Sequence, residues 1–278
     1  MIVAPDNPIA VQLYTVRKAA RDDFAGTLRR LAEGGANAVE FAGYGGMTIP
    51  DLKALLDEVG LRVCGAHVPL TAWEGQLDAT LADIVALGGE YAVVPFVPQE
   101  RRGGAAFAHE LAANLNRWAE AARQNGLGFA YHHHDFEFFP LADGDGETSP
   151  SGGGGHGGET LFDILVKETD PNLVGIEVDV YWAARAGIDP AHLLNELQGR
   201  VPLLHLKDLG PAPDRADLPA GEGTLRWDDI LPAATAAGAR WWIVEQDTPA
   251  DPIADALLAI RNVEGMSRQS TVRRPDRL

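Results

Sequence analysis

Apolar residues in this chain gather into short runs, and between the runs they recur at the spacing of an amphipathic helix. Residues 9–16 read as a first strand with Gln12, Tyr14 and Arg17 interleaved. Phe24, Leu28 and Leu31 predict a helix over 22–32, stopped by Gly34-Gly35. A strand at 38–41 leads through a Gly-rich loop to a helix that opens at Thr48-Ile-Pro-Asp and runs to Gly60. Strand 62–70 ends in Ala66-His67-Val68-Pro69, helix 77–87 ends at Gly88-Gly89, and strand 91–97 precedes an Ala-rich helix over 104–124. The alternation continues with strand 127–134, helix 160–168, strand 174–181, a helix from Asp189-Pro190 to Gly199, and strand 201–207. Helix 227–237, strand 241–246 and a last helix starting at Asp251-Pro252 complete it.

Eight strands, each followed by a helix, predict an α/β fold: a parallel sheet closed into a single-domain (β/α)8 TIM barrel over residues 1–265. An open doubly wound sheet is the alternative, but no Gly-x-Gly-x-x-Gly follows the first strand to support it. Residues 142–159, with their Gly-rich run around His156, read as a flexible insertion after the fifth strand, and residues 266–278 as a polar basic tail.

Composition narrows the function. The chain has 278 residues and a net charge of −17, which argues against nucleic acid or an anionic membrane as partner, because phosphate binding needs clustered Lys and Arg. No signal peptide and no apolar run of about 18 residues is visible, and the single cysteine, Cys64, cannot form an internal disulfide. These features suggest a cytoplasmic protein, with Cys64 as a small buried residue.

In such a barrel the chemistry sits at the C-terminal strand ends, and side chains alternate inward and outward along each strand. His132 and His134 share one face of strand five, Glu177 and Asp179 of strand six, His205 and Lys207 of strand seven, Glu245 and Asp247 of strand eight. The intervening Ile176, Val178, Leu204, Leu206 and Val244 are apolar, as helix-facing positions should be. A barrel interior holds so many charges only if they are paired or bind a cation. Mixed imidazole and carboxylate groups suit one divalent ion, with Mn, Zn, Co and Fe all eligible. Asp179, His205 and Glu245 are the candidate ligands from strands six to eight, and His132, His134 or Glu137 supplies the strand-five group. His133 has the wrong phase and reads as a group supporting the ligands from behind, or as packing. Glu177 reads as orienting His132 from below, and His67 as either a substrate contact or a satisfied core histidine. His109 and His192 lie on helices and read as bland.

Val11-Gln12-Leu13-Tyr14-Thr15-Val16-Arg17, the stretch Tyr-His-His-His-Asp-Phe-Glu-Phe at 131–138, Glu177-Val-Asp-Val-Tyr-Trp182, His205-Leu-Lys-Asp208 and Gly221-Glu-Gly-Thr-Leu-Arg-Trp227 resemble the xylose isomerase-like TIM barrel superfamily. Within it they are similar to the sugar phosphate isomerase/epimerase proteins, over nearly the whole chain. The resemblance implies metal ligands Glu, Asp, His and Glu from strands five to eight. Three fall on Asp179, His205 and Glu245. The usual strand-five Glu falls on His132, with Glu137 just beyond, so either His132 replaces the ligand or Glu137 folds back to supply it. The implied activity is isomerisation or epimerisation of a sugar or keto-sugar, in which the ion stabilises an enediolate. Glu245 or a strand-five group would be the base, and Lys207 would balance negative charge. Glu137, His134 and His67 join them as catalytic candidates. Trp182, Glu177 and Asp247 are candidate substrate contacts, and Trp73 a further candidate wall. Dehydration or lysis of a keto-sugar or inosose is the alternative, and a non-catalytic sugar-binding barrel or a multi-metal endonuclease lies further off. The small-molecule partner is a sugar or cyclitol, and analogy implies a homodimer.

Overall fold

The computed structural model describes residues 7–141 and 158–272; segment 142–157, with His156, and the two chain ends lie outside the described residues. Its strands are β1 Ile9–Gln12, β2 Ala38–Phe41, β3 Arg62–His67, β4 Tyr91–Val94, β5 Gly128–His132, β6 Val174–Asp179, β7 Leu203–Leu209, β8 Asp217–Pro219 and β9 Trp241–Val244. All except β8 pair in parallel, in chain order from β1 to β7, and the sheet closes on itself through β9. There, Val244 stands opposite Val11 of β1 and Ile243 opposite His205 of β7. The result is an eight-stranded parallel barrel with helices outside it.

The main outer helices are Phe24–Glu33, Ile49–Val59, Leu77–Leu87, Ala105–Gln124, Leu161–Glu168, Pro190–Glu196, Trp227–Ala237 and Pro252–Val272. The last crosses the boundary at residue 265 read from the sequence. Thr48, Thr160 and Asp189 accept backbone N–H groups at three helix starts. Gly60 and Gly88 end two helices with φ of 72° and 79°, where a side chain would be strained. The main core lies between strands and helices, built from residues such as Val39, Leu56, Ile84, Trp118, Ile176 and Leu206. A separate cluster of Ala10, Ala38, Cys64, Tyr91, Val93, Ala130, Leu203, Trp241 and Ile243 fills the lower barrel interior. Two residues further along the same strands, the inward positions become Gln12, Glu40, His132, His205 and Glu245. Each of these five strands therefore crosses from an apolar layer to a polar one.

The structure departs from the sequence reading in its short elements. Strands one, five and six end at Gln12, His132 and Asp179, earlier than predicted, because side chains there capture the following backbone. The Gln12 carboxamide oxygen accepts from Tyr14 N at 3.0 Å, and Asp179 starts a helical turn, Val180–Arg185. Further turns form at Arg17–Asp22 and Leu70–Gly75. Strand β8, which the sequence reading lacked, lies antiparallel to β7 with Asp217 opposite Leu209.

Candidate active site

Asp179 ends β6, and its Oδ1 accepts from Tyr181 N at 2.9 Å and Trp182 N at 3.0 Å. This capping role occupies one oxygen and leaves Oδ2 buried without a hydrogen bond. His205 Nδ1 lies 3.9 Å from that oxygen and 2.9 Å from Glu245 Oε2. Ligand atoms of His132, Asp179, His205 and Glu245 all lie within 4.8 Å of one another. The structure therefore brings together the four residues read from strands five to eight.

Beneath them stands a second tier. His205 Nε2 is 2.8 Å from Glu40 Oε2, an oxygen that also accepts from Gln12 Nε2 at 2.8 Å. Glu177 Oε2 lies 2.7 Å from His67 Nε2, 3.1 Å from His132 Nδ1 and 3.3 Å from His205 Nε2. Burial pulls the His67 pKa down, but Glu40 and Glu177 outweigh it and raise it to about 10. Burial likewise opposes a charge on His205, and Glu177 and Glu245 override it upward. His132 goes the other way: burial, then the neighbouring histidines, hold it well below the usual histidine range. Glu40 and Gln12 were missed from sequence. Their signal was inward phase on strands one and two, each a single polar side chain where the later strands carry pairs.

Lys207 is fully buried, with Nζ 2.6 Å from Asp247 Oδ2, 3.0 Å from Glu245 Oε2 and 3.3 Å from Asp179 Oδ2. Burial disfavours its charge, but these carboxylates raise its pKa well above the ordinary value. Burial raises Asp179 to about 6 against the pull of Lys207. Two aspartates hold this arrangement in place. Asp208 accepts from Leu209 N, Leu225 N, Gly221 N and Trp227 Nε1, which ties the loop after β7 to the strand bearing Lys207. Asp217 on β8 accepts from Asp247 N at 2.6 Å and from Thr248 N at 2.9 Å, fixing the carboxylate that faces Lys207.

Other expectations are corrected. Glu137 does not reach the cluster: its Oε1 accepts from Tyr131 Oη and its Oε2 from His134 N, both at 2.8 Å, so it staples the end of β5. Burial raises its pKa to about 7. Glu177 lies under the histidines, not against substrate space, because it is wholly buried and does not line the cavity. Trp182 also lies off the cavity lining, backing His134 at 5.2 Å between ring centroids and standing 5.3 Å from Lys207 Nζ. Trp73 belongs to the core, where its indole donates to Val68 O and its rings meet Trp118 and Phe129. His133 bridges strands: Nδ1 donates to His134 O, and Nε2 accepts from Asp179 N at 3.2 Å. A cavity of about 610 Å³ opens above the cluster, and His67, His132, His134, Glu245 and Asp247 face it.

A divalent ion suits this donor set. Two imidazoles and two carboxylates are the mixed ligands of Mn, Fe, Co or Zn sites. Asp179 Oδ2 and His132 Nδ1 are buried with no well-formed hydrogen bond, facing only Lys207 Nζ at 3.3 Å and Glu177 Oε2 at 3.1 Å. A second group, His67, His132, Glu177 and His205, has similar spacing. Its carboxylate lies below the cavity, away from substrate access, so the group containing Asp179 and Glu245 fits better.

Comparison with known proteins places this geometry in context. The profile of the xylose isomerase-like TIM barrel matches residues 28–263. An inosose dehydratase from Geobacillus thermodenitrificans is 28% identical over 165 residues, 52% of this chain and 50% of that protein. The chain thus spans half the length of the curated relative it matches. A sugar phosphate isomerase/epimerase from Parabacteroides distasonis superposes with a TM-score of 0.74 at 22% identity, covering 93% of this chain and 94% of that one. The IOLI protein with a binding zinc atom superposes with a TM-score of 0.67 at 12% identity, covering 96% of this chain and 98% of that one. Among the described residues, no helix is long and apolar enough to cross a membrane.

Proposed function

The chain belongs to the xylose isomerase-like TIM barrel family, and from that premise we propose that it is a divalent-metal-dependent isomerase or epimerase of a sugar or keto-sugar. The observation that carries the reading is the convergence of His132, Asp179, His205 and Glu245 within 4.8 Å at the floor of an open cavity. A divalent ion, if held by these four, would supply Lewis-acid polarisation of a substrate carbonyl. Glu245 faces the cavity and is held well below the usual carboxylate range: burial opposes its charge, and Lys207 and His205 outweigh it. It is therefore ionised and takes the proton α to the carbonyl. The Lys207 ammonium, 3.0 Å from Glu245, balances the charge that passes to the substrate oxygen. His67 faces the cavity protonated and donates to a second substrate oxygen. Return of the proton to the neighbouring carbon is isomerisation, and its return from the other face is epimerisation.

A second reading is dehydration of a keto-sugar or inosose, favoured by a protonated His67 that faces the same cavity as Glu245. The α-C–H bond breaks to Glu245, its electron pair forms the C=C bond, and the β-C–O bond breaks. The departing hydroxyl takes a proton from His67, which faces the cavity, and leaves as water. His132 also favours single-base chemistry, because it puts an imidazole where relatives are expected to carry a second carboxylate. The test incubates Mn²⁺-loaded protein with keto-sugars and inososes in D₂O. NMR should show deuterium at the α-carbon, lost on chelation, and mass spectrometry separates isomers from dehydrated product. Exchange that survives complete metal removal would sink the proposal.

A further inference from the structure

The cavity extends well beyond the ion-binding floor, across an apolar middle that includes Val68, Pro69 and Ala72, to a polar far wall. That wall is Thr80 and Asp83 on helix Leu77–Leu87 and Gln76 immediately before its start, with Tyr44 also lining the cavity. Among the described residues, the side chains of these three carry no hydrogen bond or ion pair. Burial first, and then the charge of Asp83 across the same cavity lining, push the Tyr44 phenol up to about 12. Carboxylate, carboxamide and hydroxyl groups are the partners that sugar hydroxyls take.

Charge limits what can enter. Glu245, Asp247 and Asp83 line the cavity, and no Lys or Arg does. Two guanidinium groups stand close by, and both are engaged. Arg17 stacks on Tyr14 and donates to Tyr14 O and Asp247 O. Arg102 lies over Phe136 at 3.3 Å and donates to Val97 O. At the far wall a phosphate would meet Asp83 and no Lys or Arg, and the cationic lining group at the floor, His67, is already held by Glu177 at 2.7 Å.

We infer that the substrate is an unphosphorylated, uncharged compound of two polyhydroxy units, one reacting over the floor and the other held by Gln76, Thr80 and Asp83. This rests on the floor being the ion-binding, reacting end proposed above. Titration calorimetry on the full chain loaded with Mn²⁺ tests it with fructose, a phosphate ester of fructose, and maltulose, a glucosyl-fructose. Maltulose should bind about tenfold more tightly than fructose, and the phosphate ester no more tightly than fructose. The T80V/D83A double variant should erase the advantage of maltulose and leave fructose unchanged. Q76A, at an exposed position that folding does not depend on, should reduce it in part. Tighter binding of the phosphate ester, equal binding of maltulose and fructose, an advantage that survives both variants, or no binding of any of the three would overturn the inference. The two readings fail separately. Fructose and maltulose affinities that are both unchanged without Mn²⁺ refute the ion reading and keep the subsite, whereas Mn²⁺-dependent binding with no advantage refutes the subsite alone.

Discussion

Glu40→Gln should weaken metal binding without touching a ligand. The Glu40 carboxylate only accepts, so His205 Nε2, 2.8 Å away, carries a hydrogen; Nδ1 donates to Glu245 Oε2 at 2.9 Å in the metal-free protein and would give up that proton to bind an ion. A glutamine at that position both donates and accepts, so it permits either tautomer and removes the negative charge that raises the basicity of the ring. Loss of such an outer partner costs about 10- to 100-fold in metal affinity, or about 1.4 to 2.7 kcal/mol. A hydrogen bond to a charged group, at about 1.5 to 3 kcal/mol, sets the same scale. The assay is calorimetric titration of Mn²⁺ at fixed pH into wild type, Glu40→Gln and Glu137→Gln. Glu137 is an equally buried carboxylate outside the cluster, so its variant should keep the wild-type Kd. An unchanged Kd in Glu40→Gln, or equal losses in both variants, would refute the reasoning.

Three further outcomes are expected. Asp179→Asn retains the Oδ1 cap on Tyr181 and Trp182 but replaces Oδ2, the candidate ligand; Mn²⁺ at a hundred times Kd should stabilise wild type by about 2.7 kcal/mol and this variant not at all in thermal melts. Glu137, raised from 4.5 to about 7, binds more protons folded than unfolded in that interval, so its contribution to stability is full below pH 4.5 and is lost as pH rises through 7. The stability difference between wild type and Glu137→Gln should therefore fall by roughly 3 kcal/mol across the interval, and a flat difference in pH-dependent urea melts would contradict it. Asp208→Ala strips the acceptor from four donors and should cost on the order of 3 kcal/mol, with urea denaturation showing a loss well under half of that as the contrary result.

Much of the barrel was legible because buried parallel strands and amphipathic helices have different periods, and eight repeats of the contrast leave few topologies. Asp179, His205, Lys207 and Glu245 were legible for the same reason: each is a charged residue in inward phase on a strand otherwise apolar. Glu40 obeys that rule too, but its partner His205 lies 165 positions away, and one carboxylate on a four-residue strand does not announce a distant contact. Glu137 could not be placed because its fate depends on a tight turn that folds Tyr131 and His134 N onto it. The three-residue β8 has no period to detect; it persists through pairing with β7 and through Asp217 reaching Asp247 and Thr248. Trp73 and Trp182 show the limit for aromatics, whose composition does not tell a cavity wall from its backing.

The layering of the barrel interior divides what drift can do to this protein. In the lower tier, Ala10, Ala38, Ala130 and Ile243 are constrained by volume, and substitutions of similar size can accumulate there with little effect on chemistry. In the upper tier, Gln12, Glu40, His132, His205 and Glu245 are constrained by charge balance, and each charge removed strands another. A change of chemistry would therefore need coordinated exchange in one tier over a scaffold that the other keeps standing.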